Sequence, residues 1–269
     1  LGVGAMLVGG LMTIWQVRGG LVAALGAISQ LTRAPESVPE TERNLRPRTL
    51  LLSGTVAVVL TGGLYLWFLQ GNLPLTALAT VAILLASFFF TAVACYIVGL
   101  VGNSNSPVSG MTITAVLATG LLLSLLGFTG MAGMTATLGV AAIVCCVACT
   151  AGDVCNDLKT GALVGATPAK QQLMQLVGVT AAAFVLAPFL QILHAGTPGG
   201  IGGPELPAPQ AKLFESLVQG FFGDRALPWG LVGGGALLGV ALLAVDRLLE
   251  RRGSEFRLYL MPMAVGLYL

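Results

Sequence analysis

The chain has 269 residues, of which 56% are apolar and only 9% charged, with a formal net charge of +2. A soluble domain carries roughly a quarter charged residues, so the composition excludes an ordinary soluble enzyme and a nucleic-acid binder. It also excludes a disordered chain, which needs low hydropathy and high charge, and the apolar runs are long enough for an all-α polytopic membrane protein rather than a barrel. In chain order, Leu1 to Trp15 is an apolar run without the basic flank of a signal peptide. Arg18-Gly19-Gly20 interrupts it, Leu21–Leu31 is mildly amphipathic, and residues 32–49 form a polar loop. Six spans follow: Leu50–Leu69, Leu75–Val101, Met111–Phe128, Met131–Thr150, Gln172–Leu193 and Trp229–Val245. The second, about 40 Å long as a helix, must tilt or project from the bilayer. Leu258–Leu269 is apolar but too short to cross. The expectation is a single membrane domain of six complete transmembrane helices and two truncated ones, the C-terminal part of a longer protein.

Positive charge orients these spans. The loops at 32–49, 153–170 and 247–257 hold Arg33, Arg43, Arg46, Arg48, Lys159, Lys170, Arg247, Arg251, Arg252 and Arg257, ten of the thirteen Lys and Arg. Strict alternation puts all three loops on one side, and the positive-inside rule makes that side cytoplasmic. Tyr65, Trp67 and Trp229 then fall near the outer interface, where amphipathic rings settle. The outer loop after Leu193 is rich in Gly and Pro and leads into residues 210–222, whose Leu213, Phe214, Leu217, Val218, Phe221 and Phe222 form a helical stripe. This segment is either an interfacial helix or a re-entrant element covering a cavity.

Three features interrupt the apolar background. Residues 103–110, Asn103-Ser104-Asn105-Ser106-Pro107-Val108-Ser109-Gly110, are polar but uncharged and separate two helices. Such residues make ordinary turns; at membrane depth, the helix ends beside them line a cavity and offer amides to anions and carbonyls to cations. The second feature is Asp153 and Asp157, four apart and therefore on one face of a helical continuation. They are either solvated loop charges or groups that relay a proton. The third is a set of thiols, Cys145, Cys146 and Cys149 with Cys155 and Cys95, read as small buried apolar groups rather than metal ligands or disulfides. His194 belongs to a helix end, Pro188 kinks its helix, and Gly230 to Gly235 permit close helix packing.

The enzyme classes fit poorly. The Asp153–Asp157 spacing is similar to the magnesium–diphosphate motif of membrane prenyltransferases, but a second acidic cluster for the other metal is missing. No Ser/His pair is present, because the sole His is His194. A membrane-embedded metal-dependent transferase therefore ranks as an alternative, as does a channel or scaffold.

The stretch Gly102-Asn103-Ser104-Asn105-Ser106-Pro107-Val108-Ser109-Gly110-Met111-Thr112 resembles the Asn-Pro-Val-Ser-Gly-Met-Thr signature of the oligopeptide transporter (OPT) family. Ala151-Gly152-Asp153 with Asp157-Leu158-Lys159-Thr160-Gly161, then Gly165-Ala166-Thr167-Pro168 and Lys170-Gln171-Gln172, is similar to that family's next block. Glu205 to Ala211, and Asp246-Arg247 followed by Phe256-Arg257-Leu258, complete a matching order over about residues 50–269. The sequence departs from the usual pattern at Ser106, where many relatives carry Asn, and at Val154-Cys155-Asn156, where Thr-Ser-Gln is common.

The resemblance is to prokaryotic members related to yellow-stripe-like metal-chelate carriers, and it implies an inner (plasma) membrane location. It further implies a secondary transporter, proton-coupled, that moves small peptides or metal-chelate and siderophore-like substrates by alternating access around a midplane cavity. Asn103, Asn105, Ser106, Pro107 and Gly110 are then the expected substrate-binding residues. Asp153, with Asp157, is the expected proton-coupling group, because ionisable groups at the edge of a membrane span are functional candidates and Asp153 is nearest the apolar run. No cofactor and no resident metal are expected, only the proton as coupling ion.

Overall fold

The computed structural model of the chain describes residues 1–16, 39, 41, 43–104, 108–223, 229–254, 256 and 258–268. Leu21–Leu31, half of the loop at 32–49, and Asn105, Ser106 and Pro107 lie outside the described residues. Helices run in the order α1 (Gly2–Gln16), α2 (Pro47–Phe68), α3 (Leu73–Val101), α4 (Val108–Leu125) and α5 (Gly130–Val164). They continue with α6 (Pro168–Gly196), α7 (Pro209–Phe222), α8 (Trp229–Arg251) and α9 (Leu260–Tyr268). Six of these are long and apolar enough to cross a membrane, and they coincide with the six expected spans, while α1 and α9 are the two shorter pieces. Proline in the first turn opens α2, α3, α6 and α7, where its missing amide would have no intrahelical partner anyway. Gly102 and Gly165, both left-handed, close α3 and α5, the conformation that only glycine adopts without steric cost.

Several boundaries differ from the sequence expectation. The segment 153–170, read as a loop, is helical except for a short turn at 165–167. No proline intervenes between Thr150 and Val164, and a helix does not stop merely because it reaches water. The polar interruption is likewise shorter than 103–110, because Val108, Ser109 and Gly110 already belong to α4. The loop at 247–257 shrinks in the same way, since α8 runs to Arg251.

The molecule is organised around α5, which packs against α3, α4, α6 and α7. Val93 and Ala94 of α3 and Val140, Val144 and Ala148 of α5 are all fully buried and belong to one core. α4 is the most enclosed span, with half of its apolar window buried, whereas the window of α6 has none. A second focus joins α1 to α8 and α9. There the helices touch backbone to backbone. A side chain on Gly4 would strike the Val232 carbonyl, and one on Gly235 would strike the Leu1 backbone. The expected close packing at the Gly-rich start of α8 is therefore present.

The stripe of α7 faces protein rather than lipid. Leu213, Leu217, Val218 and Phe222 are buried; the ring of Phe221 lies over Gly120 of α4 and that of Phe222 over Gly133 of α5. Tyr65 is buried against neighbouring helices, whereas Trp67 is 75% exposed. The helix containing Pro188 continues unbroken to Gly196.

Candidate functional site

The polar break begins where α3 stops. Gly102 has φ of 75° and its N–H donates to the Val98 carbonyl at 2.9 Å. Asn103 and Ser104 follow and are exposed. The first turn of α4 is fixed by its own threonines, with Thr112 Oγ1 donating to the Val108 carbonyl at 2.9 Å and Thr114 Oγ1 to the Gly110 carbonyl at 2.8 Å. Helix geometry leaves the first-turn amides without i−4 acceptors, and Ser109 at that turn is exposed. Gly110, expected to touch substrate, is instead buried within the packing of α4. It lies on the face that α4 turns to its neighbours, next to buried Met111 and Thr112.

Asp153 and Asp157 stand on the continuous helix α5, one turn apart and so on one face. Both side chains are exposed, which corrects the expectation that Asp153 is held in apolar surroundings; the long extension of α5 carries it out of the protein core. Asp157 is a structural anchor. Its Oδ2 accepts from Gln175 Nε2 at 3.1 Å, and its backbone carbonyl accepts from Gln171 Nε2 at 3.2 Å. The Gln171 amide lies directly over Gly161, where any side chain would collide with it.

The chain before α2 joins the same corner. Leu45 N–H donates to Gln172 Oε1 at 3.1 Å, and Ala169 N–H donates to the Arg43 carbonyl at 3.0 Å. Gln172 Nε2 also donates to Asn44 Oδ1 at 3.3 Å. Residues 43–45 and the α5–α6 turn, two segments expected on the same side of the membrane, are thus in direct contact. Gln175, a polar residue inside an apolar span and one turn beyond Gln171, was legible in the sequence as the signal for this corner. The partner segment 43–45 was not, because it lies more than a hundred residues away.

A thiol contact sets the level of the polar break. Cys95 Sγ of α3 donates to the Ala151 carbonyl of α5 at 3.6 Å. α3 and α5 run in the same direction: Leu69 and Gln70, just before α3, lie beside Met131 and Thr135 at the start of α5, and Cys95 lies on Ala151 further along both helices. Gly102 lies as far beyond Cys95 as Leu158 lies beyond Ala151, roughly 10 Å of helix rise. The break after Gly102 therefore sits level with Asp157. By this register Asn103 and Ser104, just past the end of α3, fall about level with Asp157 on α5. The five cysteines are all free thiols, and among the described residues there is no group of three or more His, Cys, Asp or Glu suited to a metal ion.

At the C-terminal end of α6, His194 Nδ1 accepts the Ile201 N–H at 3.0 Å. The imidazole ring lies against Gly200, one of three glycines in this loop with positive φ. His194 therefore pins the Gly-rich loop, a role beyond that of a helix-end residue.

The chain is 32% identical over 216 residues to a Haemophilus influenzae protein whose name assigns it to oligopeptide transport, covering 74% of this chain and 34% of that protein. It is 39% identical over 82 residues to a rice (Oryza sativa subsp. japonica) protein named for metal-nicotianamine transport, covering 29% of this chain and 11% of the relative. The chain thus spans about a third or less of the length of these relatives. No solved structure matches. The family described as OPT oligopeptide transporter protein matches residues 1–269; the chain belongs to this family, which consists of transporters and not enzymes.

Proposed function

We propose that the chain forms part of a secondary carrier for small peptides or metal chelates, coupled to protons and working by alternating access. The observation that supports this reading is the register of α3 on α5: the Cys95–Ala151 contact sets the polar break after Gly102 about level with Asp157, one turn past Asp153. Peptides and carboxylate-bearing chelates share anionic groups, and the first-turn amides of α4, at the positive end of its dipole, suit them. Asn103 supplies an amide side chain beside that turn, with Asn105, Ser106 and Pro107 completing the connection. Asp153 is the coupling group, since it is exposed next to the break, while Asp157 is held by Gln175. In this reading the corner at 43–45 and 161–175 is cytoplasmic, and substrate leaves or enters there.

The test is uptake by the full-length protein in proteoliposomes with an imposed proton gradient, against a panel of peptides and metal chelates. Asp153→Asn is expected to abolish acceleration by the gradient while leaving counterflow exchange intact. Unchanged gradient dependence removes Asp153 from the coupling role. Non-saturating flux in the native protein would instead identify a channel.

A further inference from the structure

Cys95 and Cys155 belong to different helices, and the packing of α3 on α5 puts their thiols side by side. Cys95 Sγ reaches the Ala151 carbonyl of α5 at 3.6 Å. A helical side chain leans towards the N-terminus of its own helix, over the preceding turn. Cys155, one turn after Ala151, therefore carries its sulfur back over that same turn, and the two thiols lie within hydrogen-bonding reach of each other. Gly152 is buried in this turn and has no side chain to hold α3 away. Ala94 and Val98, on either side of Cys95, are buried as well. Both cysteines are only half-buried, and the exposed Asp153 and Asp157 stand on either side of Cys155. Small water-borne reagents can therefore approach this end of the α3–α5 contact.

Two thiols in contact can share a metal ion or a covalent bond. Zinc takes four ligands, and among the described residues no group of three or more His, Cys, Asp or Glu is suited to a metal. The remaining thiols, Cys145, Cys146 and Cys149, share the single helix α5. Positions three and four apart on a helix hold their Cβ atoms about 5–6 Å apart, beyond the about 3.5–4.5 Å of a disulfide, so Cys149 cannot join either neighbour without distorting α5. We propose that Cys95 and Cys155 are a modification site, forming a reversible disulfide that ties α3 to α5 on exposure to a peroxide. One thiol sulfur takes an oxygen of the peroxide as S–OH, the O–O bond breaks, and the other oxygen leaves as water. The second sulfur then displaces that hydroxyl, which leaves as water with the second thiol's proton as the S–S bond forms. A dithiol reductant reverses the step by exchange. The bond joins α3, shortly before the polar break, to α5 between its two aspartates. Resting on the transport reading, it fixes the break against Asp153 and arrests the transport cycle.

The experiment treats the full-length protein in proteoliposomes with hydrogen peroxide, blocks the free thiols, and compares its peptides by mass spectrometry before and after dithiothreitol. The peptides containing Cys95 and Cys155 are expected to appear joined, lighter by two hydrogens than their sum, and to separate again on reduction. Both residues recovered as free thiols, or joined to other cysteines instead, overturn the proposal whatever the substrate proves to be. Uptake of a peptide and metal-chelate panel by the same vesicles is expected to be lost on oxidation and regained on reduction. Cys95→Ser and Cys155→Ser are each expected to keep their uptake in peroxide. Inhibition that persists in both serine variants overturns the control of transport by this bond. A protein that forms the bond but moves no substrate in either state supports the disulfide and refutes the transport reading.

Discussion

Single residues at this protein's helix ends do work that their neighbours in sequence do not announce. Asp153 and Asp157 are chemically identical and one turn apart, but Asp157 is tied to Gln175 at 3.1 Å while the Asp153 side chain stands exposed. His194 is exposed, and its Nδ1 holds the Ile201 amide across a loop bent by three positive-φ glycines. His194→Ala is expected to leave the helices intact and to release that loop. A net hydrogen bond is worth about 1 kcal/mol, so the Ile201 amide should exchange about five to tenfold faster, read by hydrogen–deuterium exchange. An unchanged rate at Ile201 would show that the glycine turns hold the loop alone.

Elements meet through small residues. Gly120 and Gly133 receive the rings of Phe221 and Phe222 and so draw α7 onto α4 and α5, while Gly4, Gly235 and Gly239 bring the α1 and α8 backbones together. Position within the Gly-rich run of α8 decides the outcome of substitution. Gly235→Ala places a methyl group against the Leu1 backbone, which cannot rotate away; overpacking of this kind costs about 1–3 kcal/mol. Gly233 has open space around its Cα, and Gly233→Ala should be neutral or slightly stabilising through helix propensity. Thermal unfolding in detergent of the two variants checks the contrast, and equal melting temperatures would contradict the α1–α8 contact.

At the scale of the whole molecule, α5 organises the bundle, and the basic segments 43–48 and 159–170 gather at one end of it. If this end is cytoplasmic, as the positive-inside rule proposes, Lys212→Cys in a cysteine-free background should react with an impermeant maleimide in intact cells. Lys159→Cys should react only after permeabilisation, and the reverse pattern would invert the topology. Composition and run length by themselves determined the all-α membrane class and the six spans, because hydrocarbon solvent demands long apolar helices whatever they pack against. The motifs around 102–112 and 151–172 likewise determined the family. Tertiary structure decided what periodicity cannot encode. It buried Gly110 and Tyr65. It also turned the stripe of α7 towards protein and joined residues 43–45 to Gln172. In each case the sequence fixes an apolar face or a polar group, but the partner it meets lies on another helix, set by packing between distant segments.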